Sequence, residues 1–515
     1  MSFVLMLALS CNEKPKQETA FLDKKIAVSK KIAWVLKSEN QALLEIDAGG
    51  IEFLTHFYKQ QQYKANWVND SMLTKRGANL ESLLKNPLLF GLPKSRIAYP
   101  DDAKLNAALK ELYLTHALAV MSQDLNKGFY DTVQKKQVPH SYPSVQTFSQ
   151  VLNSIPIDIS LISNKIISFG LSDTLYQQLA FRHYAFVDSM NVKDENFHVP
   201  TEKKDSLKSL NLAKKALASK GYLFDAEKDT NYLAALRRFQ FDNGLKEDAV
   251  LGQTTVEALN ETNVEKAKRS SLTLEKLRWR VRDKKRYIEV NIPEYTLRFY
   301  ADDTLKSVNR IIVGKEDTQT PEFESELHSI ISYPYWSVPF SITSKEILPD
   351  AKKNPNYFAK NNMKLYKNKE EIDPLSVNWK KIPDKTFPYK VIQQPGPKNS
   401  LGVVKFDFNN KYGVYFHDTP QKGLFNTVIR SYSHGCMRCE NPVDLAKMIL
   451  LKDENKMLPD SLDSMLVRER HYPIRLKKRI PVYVEYRSVV VRNDRMIFLR
   501  DIYRRDKRLV KLLFA

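Results

Sequence analysis

Residues 287–300 read Tyr-Ile-Glu-Val-Asn-Ile-Pro-Glu-Tyr-Thr-Leu-Arg-Phe-Tyr. Apolar Ile288, Val290 and Ile292 alternate with polar neighbours, and Leu297 and Phe299 do so again beyond Pro293-Glu294-Tyr295. A period of two marks half-buried strands, and the Pro-Glu-Tyr break makes them a paired hairpin. The same signal returns at Val308–Val313, closing on Gly314, and at Ile330–Tyr333, Val403–Phe406, Gly413–Phe416 and Ile480–Tyr486. Residues 286–490 therefore read as a β-rich, sandwich-like domain. From Pro339 to Lys390 the alternation lapses around Glu346-Ile347-Leu348-Pro349, which predicts a largely helical insertion over about 339–392.

Upstream the period changes to that of helices. Residues 26–202 carry apolar side chains at helical spacing, as in Ala107, Leu109, Leu112 and Tyr113, punctuated by Pro93, Pro100, Pro139, Pro143 and Pro156. The histidines here (His56, His116, His140, His183, His198) stand isolated, which reads as structural or surface placement rather than ligation. Residues 203–262 predict a three-helix unit. It has faces at Leu207-Leu210-Ala213-Leu217 and Tyr232-Leu233-Leu236-Phe239, then Phe239-Gln240-Phe241, Gly244-Leu245, Gly252-Gln253-Thr254 and Ala258-Leu259. Residues 263–285 read as a basic helical linker and 491–515 as a basic C-terminal tail. The whole is an α+β multidomain chain.

Composition bounds the function. The chain's 515 residues, 43% apolar and 27% charged, exclude global disorder and leave material for about three folded units. No apolar run past the first ten residues approaches the ~18 needed to span a bilayer. Three cysteines exclude a disulfide scaffold. The net charge of +21 favours polyanionic neighbours. Its dense runs, Lys477-Lys478-Arg479 and Arg504-Arg505 with Lys507-Arg508, accompany no nucleic-acid motif, so nucleic acid is not an expected partner. Residues 1–11, MSFVLMLALSC, hold a short apolar stretch ending in small residues before Cys11, followed by a polar tether over 12–25. This resembles a bacterial lipoprotein signal, which implies export to the periplasm and acylation of Cys11 as a membrane anchor.

The chemistry concentrates in Tyr415–Asn441, YFHDTPQKGLFNTVIRSYSHGCMRCEN. His417 ends a strand, and Cys436 follows on a glycine-containing turn. A thiol must ionise to attack an acyl carbon, and an imidazole supplies that as a thiolate–imidazolium pair. Gly435 permits close backbone approach, so N–H groups near it suit an oxyanion hole. Arg438 offers a fixed charge for a substrate carboxylate. Asn441-Pro442 reads as a helix start.

Ser433-His434-Gly435-Cys436-Met437-Arg438, with His417-Asp418-Thr419-Pro420 upstream, resembles the signature of the L,D-transpeptidase catalytic domain. Thr318-Gln319-Thr320-Pro321, Tyr335-Trp336-Ser337-Val338-Pro339 and Gln394-Pro395-Gly396-Pro397 resemble its larger Gram-negative members. Phe57-Tyr58 with Trp67, and Leu114-Thr115 with Leu125–Gly128, are similar to their scaffold domain. Residues 203–262 resemble the small peptidoglycan-binding module. The resemblance implies 3→3 cross-linking of peptidoglycan stem peptides through a Cys436 thioester, with His417 as base and D-Ala released. It further implies Gly435, Tyr415 and Asp418 in support, Ser433, His434, Arg438 and Trp336 against the substrate, and a capping insertion. Glycan partners, acylation by carbapenem-type inhibitors and no cofactor follow from it too. Water or a protein amine as acceptor are the alternatives, as is a non-catalytic wall-binding lipoprotein. Cys439 departs from the pattern. It is either a small buried residue or a resolving thiol for Cys436. Zinc held by His417, His434, Cys436 and Cys439 is disfavoured by the short His434–Cys436 spacing, and no metal is expected. A thiol–disulfide oxidoreductase is disfavoured because its CxxC usually opens a helix in a βαβ context.

Overall fold

The computed structural model describes residues 21–100, 105–190, 197–200, 206–222, 231–280, 285–383, 386–453 and 459–515. Cys11, the expected leader and the tether up to residue 20 lie outside them. The chain divides into two compact units, Met1–Val281 with Ser488–Ala515, and Arg282–Arg487. No helix among the described residues is long and apolar enough to cross a membrane.

The first unit is helical and is organised around α1, Ala107–Lys127. Leu112, Tyr113, Leu114, Ala117, Leu118 and Met121 leave α1 apolar on nearly every face, so it is covered on nearly every face. Glu111, Thr115 and Asp124 on this helix are buried and hydrogen-bonded. Glu111 accepts the N–H groups of Asn66 and Trp67, both at 2.7 Å, and the Tyr58 hydroxyl at 2.7 Å. Thr115 takes the Trp67 indole N–H at 3.0 Å. Arg96 grips Asp124 with two bonds of 2.9 and 2.8 Å.

Three helices, Ser206–Ser219, Tyr232–Asp242 and Gln253–Leu259, share a small separate core of Ala213, Leu217, Leu236, Phe239 and Val256. Gln240, fully buried between its two aromatic neighbours, explains the Phe-Gln-Phe motif. Its amide donates to Val250 O at 3.0 Å and accepts from Ala249 N at 2.8 Å, stapling the turn that follows.

Two segments depart from expectation. The stretch read as a linker is α2, Asn263–Arg278, and it runs buried through the first unit. The stretch read as a tail is folded too. Val489–Arg492 and Arg495–Phe498 form a hairpin, and helix Arg505–Leu513 follows. Val489, Phe498 and Leu513 enter the same core as α1.

The second unit is a sheet of nine strands: β1 Tyr287–Asn291, β2 Thr296–Ala301, β3 Thr304–Gly314, β4 Phe323–Ser332, β5 Val404–Phe408, β6 Phe416–His417, β7 Ser431–Ser433, β8 Met437–Cys439 and β9 Tyr472–Glu485. Their order is β7-β3-β8-β6-β5-β4-β9-β1-β2, and β2 pairs again with β3. The expected sandwich of two sheets is thus one sheet closed on itself. Closure needs a strand long enough to serve several partners. β3 does this, pairing with β2 over Thr304–Arg310, with β8 at Ile311 and Ile312, and with β7 at Val313 and Gly314.

The insertion holds a sheet as well as the expected helices. Trp336–Ser337, Met363–Lys367, Glu370–Ile372 and Lys390–Gln393 build a second, four-stranded sheet, joined by short helices over Leu348, Phe358, Leu365, Trp379 and Val391. Its strands span at most five residues, too few for alternation to register in sequence.

Candidate active site

Strand register decides which side chains meet. β6 and β8 are parallel neighbours, with Phe416 opposite Met437 and His417 opposite Arg438. β5 lies antiparallel on the other side of β6, with Lys405 opposite His417. Side chains alternate across a sheet, so Lys405, Tyr415, His417, Cys436 and Arg438 share one face. Phe416, Met437 and Cys439, all buried, occupy the other. The two chemical groups lie 19 positions apart in sequence and on adjacent strands in space.

Cys436 is half-buried and sits just before β8 on the turn Ser433–Gly435. Gly435 has φ +109°, a conformation that a side chain would strain. The turn is held from both sides. The Ser433 hydroxyl donates to Cys436 O at 2.5 Å and accepts from Gly435 N at 3.1 Å. Thr320 Oγ1 accepts from Gly314 N and donates to Gly435 O, both at 2.9 Å, tying the turn to the end of β3. Thr318 donates to Ser433 O at 3.0 Å.

This accounting corrects two expectations. Ser433 spends its single O–H inside the turn and is buried, so it does not face a substrate. Gly435 N–H is taken by Ser433, and Met437 N–H by Tyr415 O at 3.0 Å, so neither serves an oxyanion.

The Tyr415 backbone N–H and hydroxyl both favour the ionised form of the Cys436 sulfur, and the Trp336 indole favours the ionised form of the Tyr415 hydroxyl. Burial, and then the nearby thiol, push the phenol well above its ordinary value, so it remains a donor. Its ring carries Lys405 Nζ at 4.3 Å and lies 5.7 Å from the His417 ring.

His417 is buried, and its Nδ1 meets the Asp418 backbone carbonyl at 2.5 Å, which makes Nδ1 the protonated nitrogen and leaves Nε2 as the free base. The Asp418 carboxylate turns elsewhere, accepting from Val403 N at 2.9 Å and pairing with Lys422 at 2.5 Å. Burial, reinforced by Arg438, pushes His417 down to about 3. Burial pushes the Cys436 thiol up, against the pull of Tyr415, Lys405 and Arg438. Both directions favour neutral imidazole and thiol at rest over the expected ion pair.

Arg438 is anchored by Nη1 on Gln421 Oε1 at 2.8 Å. His434 pairs through Nε2 with Glu346 Oε1 of the insertion at 2.6 Å. Cys439 lies fully buried in β8 on the opposite face. Three residues of extended chain separate it from Cys436 by roughly 10 Å, beyond the ~7 Å between Cα atoms that a disulfide allows, so a capping bridge does not fit. Nor do the four sulfur and imidazole groups converge as a zinc site, since Cys439 faces away and His434 is turned to Glu346. The helix Pro442–Leu451 begins beyond β8, and its Asn441 N–H serves Cys439 rather than Cys436. Lys405, Thr320, Gln421 and Glu346 were not singled out from sequence as site residues. Of these, only Lys405, two residues before Asp407 in an alternating strand, carried a local sign of its face.

Residues 285–464 match the L,D-transpeptidase catalytic domain family YkuD, and residues 52–180 match the Scaffold domain family. A curated protein of Haemophilus influenzae named "Putative L,D-transpeptidase" is 34% identical over 223 residues. That stretch is 43% of this chain and 45% of the relative's length, so the two correspond over less than half of either.

Proposed function

We propose, from the match of residues 285–464 to the L,D-transpeptidase catalytic domain family and of residues 52–180 to the Scaffold domain family, that the chain forms 3→3 cross-links in peptidoglycan through a thioester on Cys436. The observation that carries the proposal is the shared face of Tyr415, His417, Cys436 and Arg438 across two parallel strands. His417 Nε2 takes the thiol proton as sulfur attacks the carbonyl between the L-centre and D-Ala of a donor tetrapeptide stem. The proton passes to the leaving D-Ala amine, the carbon–nitrogen bond breaks, and the thioester forms. An acceptor stem amine then attacks, loses its proton to His417, and expels the thiol. Because the resting pair is neutral, proton transfer accompanies attack, as in general-base catalysis. Cys436 N–H and Tyr415 stabilise the oxyanion. Arg438 and Lys405 stabilise negative charge on sulfur. Trp336 and the insertion border the donor stem, with Glu346–His434 as a tie between insertion and turn. The segment 203–262 serves as a peptidoglycan-binding module, Cys11 as a lipid anchor facing the periplasm, and carbapenem-type compounds acylate the same thiol.

Incubating the protein with disaccharide-tetrapeptide, beside Cys436→Ala, tests this by mass spectrometry of the products. A dimer short of one D-Ala, absent with the variant, is expected. Tripeptide alone assigns water as the acceptor. No Cys436-dependent product overturns the reading.

A further inference from the structure

Asp47, His116 and His140 meet in the first unit from three separate stretches of chain. Asp47 caps the helix Ala48–Gln60, giving Oδ1 to Gly50 N–H at 2.8 Å and leaving Oδ2 turned outward from the cap. His140 Nδ1 lies 2.7 Å from that Oδ2. His116 is buried within α1, and its Nε2 is 3.0 Å from the Tyr142 hydroxyl, which donates to the same Oδ2 at 2.9 Å. One ligand atom from each of the three lies within 4.8 Å of the others.

Two features mark how tightly the cluster is enclosed. His116 is 0% exposed, yet its Nδ1 has no hydrogen-bond partner among the described residues. The helix wall facing the cluster is also stripped of side chain. A Cβ on Gly50 would stand 2.8 Å from both His116 Nε2 and the Tyr142 oxygen, and one on Gly49 would stand 3.2 Å from Asp47 Oδ1. Glycine at these positions lets the His116 and Tyr142 side chains pack directly against the start of the helix, next to Asp47.

We propose that Asp47, His116 and His140 bind a divalent transition metal of the zinc class, with the Tyr142 hydroxyl or a water in the fourth position. Two imidazoles and one carboxylate suit Zn²⁺ and are a poor set for Mg²⁺ or Ca²⁺, which prefer oxygen ligands. Tetrahedral ligands at bond lengths of ~2.0–2.1 Å stand about 3.3 Å apart. The separations present, 2.7 Å from His140 Nδ1 to Asp47 Oδ2 and no more than 4.8 Å within the set, bracket that value. The metal would tie α1, the start of helix Ala48–Gln60 and the stretch that carries His140 together, stabilising the first unit by mass action.

The test uses the full chain carrying Cys436→Ala, which removes the half-buried thiol as a competing ligand. After chelator treatment it is titrated with Zn²⁺ by calorimetry and with Co²⁺ by visible absorption. One equivalent of zinc, tetrahedral Co²⁺ bands and a thermal midpoint that rises with zinc are expected. Affinity should fall at least tenfold in Asp47→Asn and in His140→Gln. Asparagine preserves the helix cap while removing the charge. His140 is chosen over buried His116 so that lost binding is not lost folding. No saturable binding, or equal binding by both variants, overturns the proposal and leaves a hydrogen-bond network only.

Discussion

At the scale of residues, the reactive pair is tuned by burial and by two cations rather than by a carboxylate. Asp418 orients His417 through its backbone carbonyl, and its side chain is spent on Val403 N and Lys422. An ion-paired thiolate would alkylate rapidly at pH 5–7. The neutral pair predicts the opposite. The rate of Cys436 alkylation by iodoacetamide, read by mass spectrometry, should stay low there and rise only above the usual thiol range. With His417 held down at about 3, acylation by the donor stem should show no acid limb near pH 6.5. Tyr415→Phe removes one donor to sulfur and to the oxyanion. Acylation should slow by about tenfold to a hundredfold, with the thermal midpoint nearly unchanged.

At the scale of elements, α2 shows why a charged sequence can be interior. Its charged side chains enter the core already partnered. Glu275 pairs with Arg278 at 2.8 Å, Arg269 with Glu261 at 3.0 Å, and Lys276 with Asp506 at 2.8 Å. Lys266 stands apart, bonded to neutral Asn243 at 2.8 Å and lying over Phe239 and Phe498. Burial pushes Lys266 down to about 7 from the usual lysine value of 10.5, so the native state holds fewer protons than the unfolded chain between those values. Stability from this group therefore rises with pH from about 7 to about 10, by roughly 1.4 kcal/mol per pH unit. Lys266→Met should flatten that rise and raise the thermal midpoint at pH 7. Equal pH slopes in the variant and the parent would refute this.

At the scale of the molecule, the two units differ in how far their chain is contiguous. The second runs unbroken from Arg282 to Arg487, whereas the first is completed by Ser488–Ala515. Val489, Phe498 and Leu513 each bury a side chain in the α1 core, worth about 1.5–3 kcal/mol apiece. Ending the chain at Arg487 should remove stability comparable to that of a whole domain, and limited proteolysis should then cut the first unit while sparing the second. Asp506→Ala breaks a buried pair with Lys276 and also leaves the Ser488 hydroxyl without Asp506. A loss of about 3–5 kcal/mol is expected by chemical denaturation.

The sequence by itself determined what repeats locally. Alternation from Tyr287 to Tyr300 announced the hairpin that opens the sheet, and helical spacing announced α1. The Ser-His-Gly-Cys-Met-Arg run marked the thiol, because a strained glycine turn before a cysteine is a property of adjacent residues. The Phe-Gln-Phe motif belonged to the same class, since Gln240 bonds only a few positions onward. What depended on partners distant in sequence was decided by tertiary structure alone. Closure of the sheet rests on β3 serving three neighbours, the burial of α2 on counter-charges such as Asp506 far along the chain, and the protonation of His417 on Arg438 and the depth of the site. Ser433 turned inward for want of a second donor. His116 and His140, isolated in sequence, met Asp47 because three elements converge there, and convergence leaves no periodic mark on a chain.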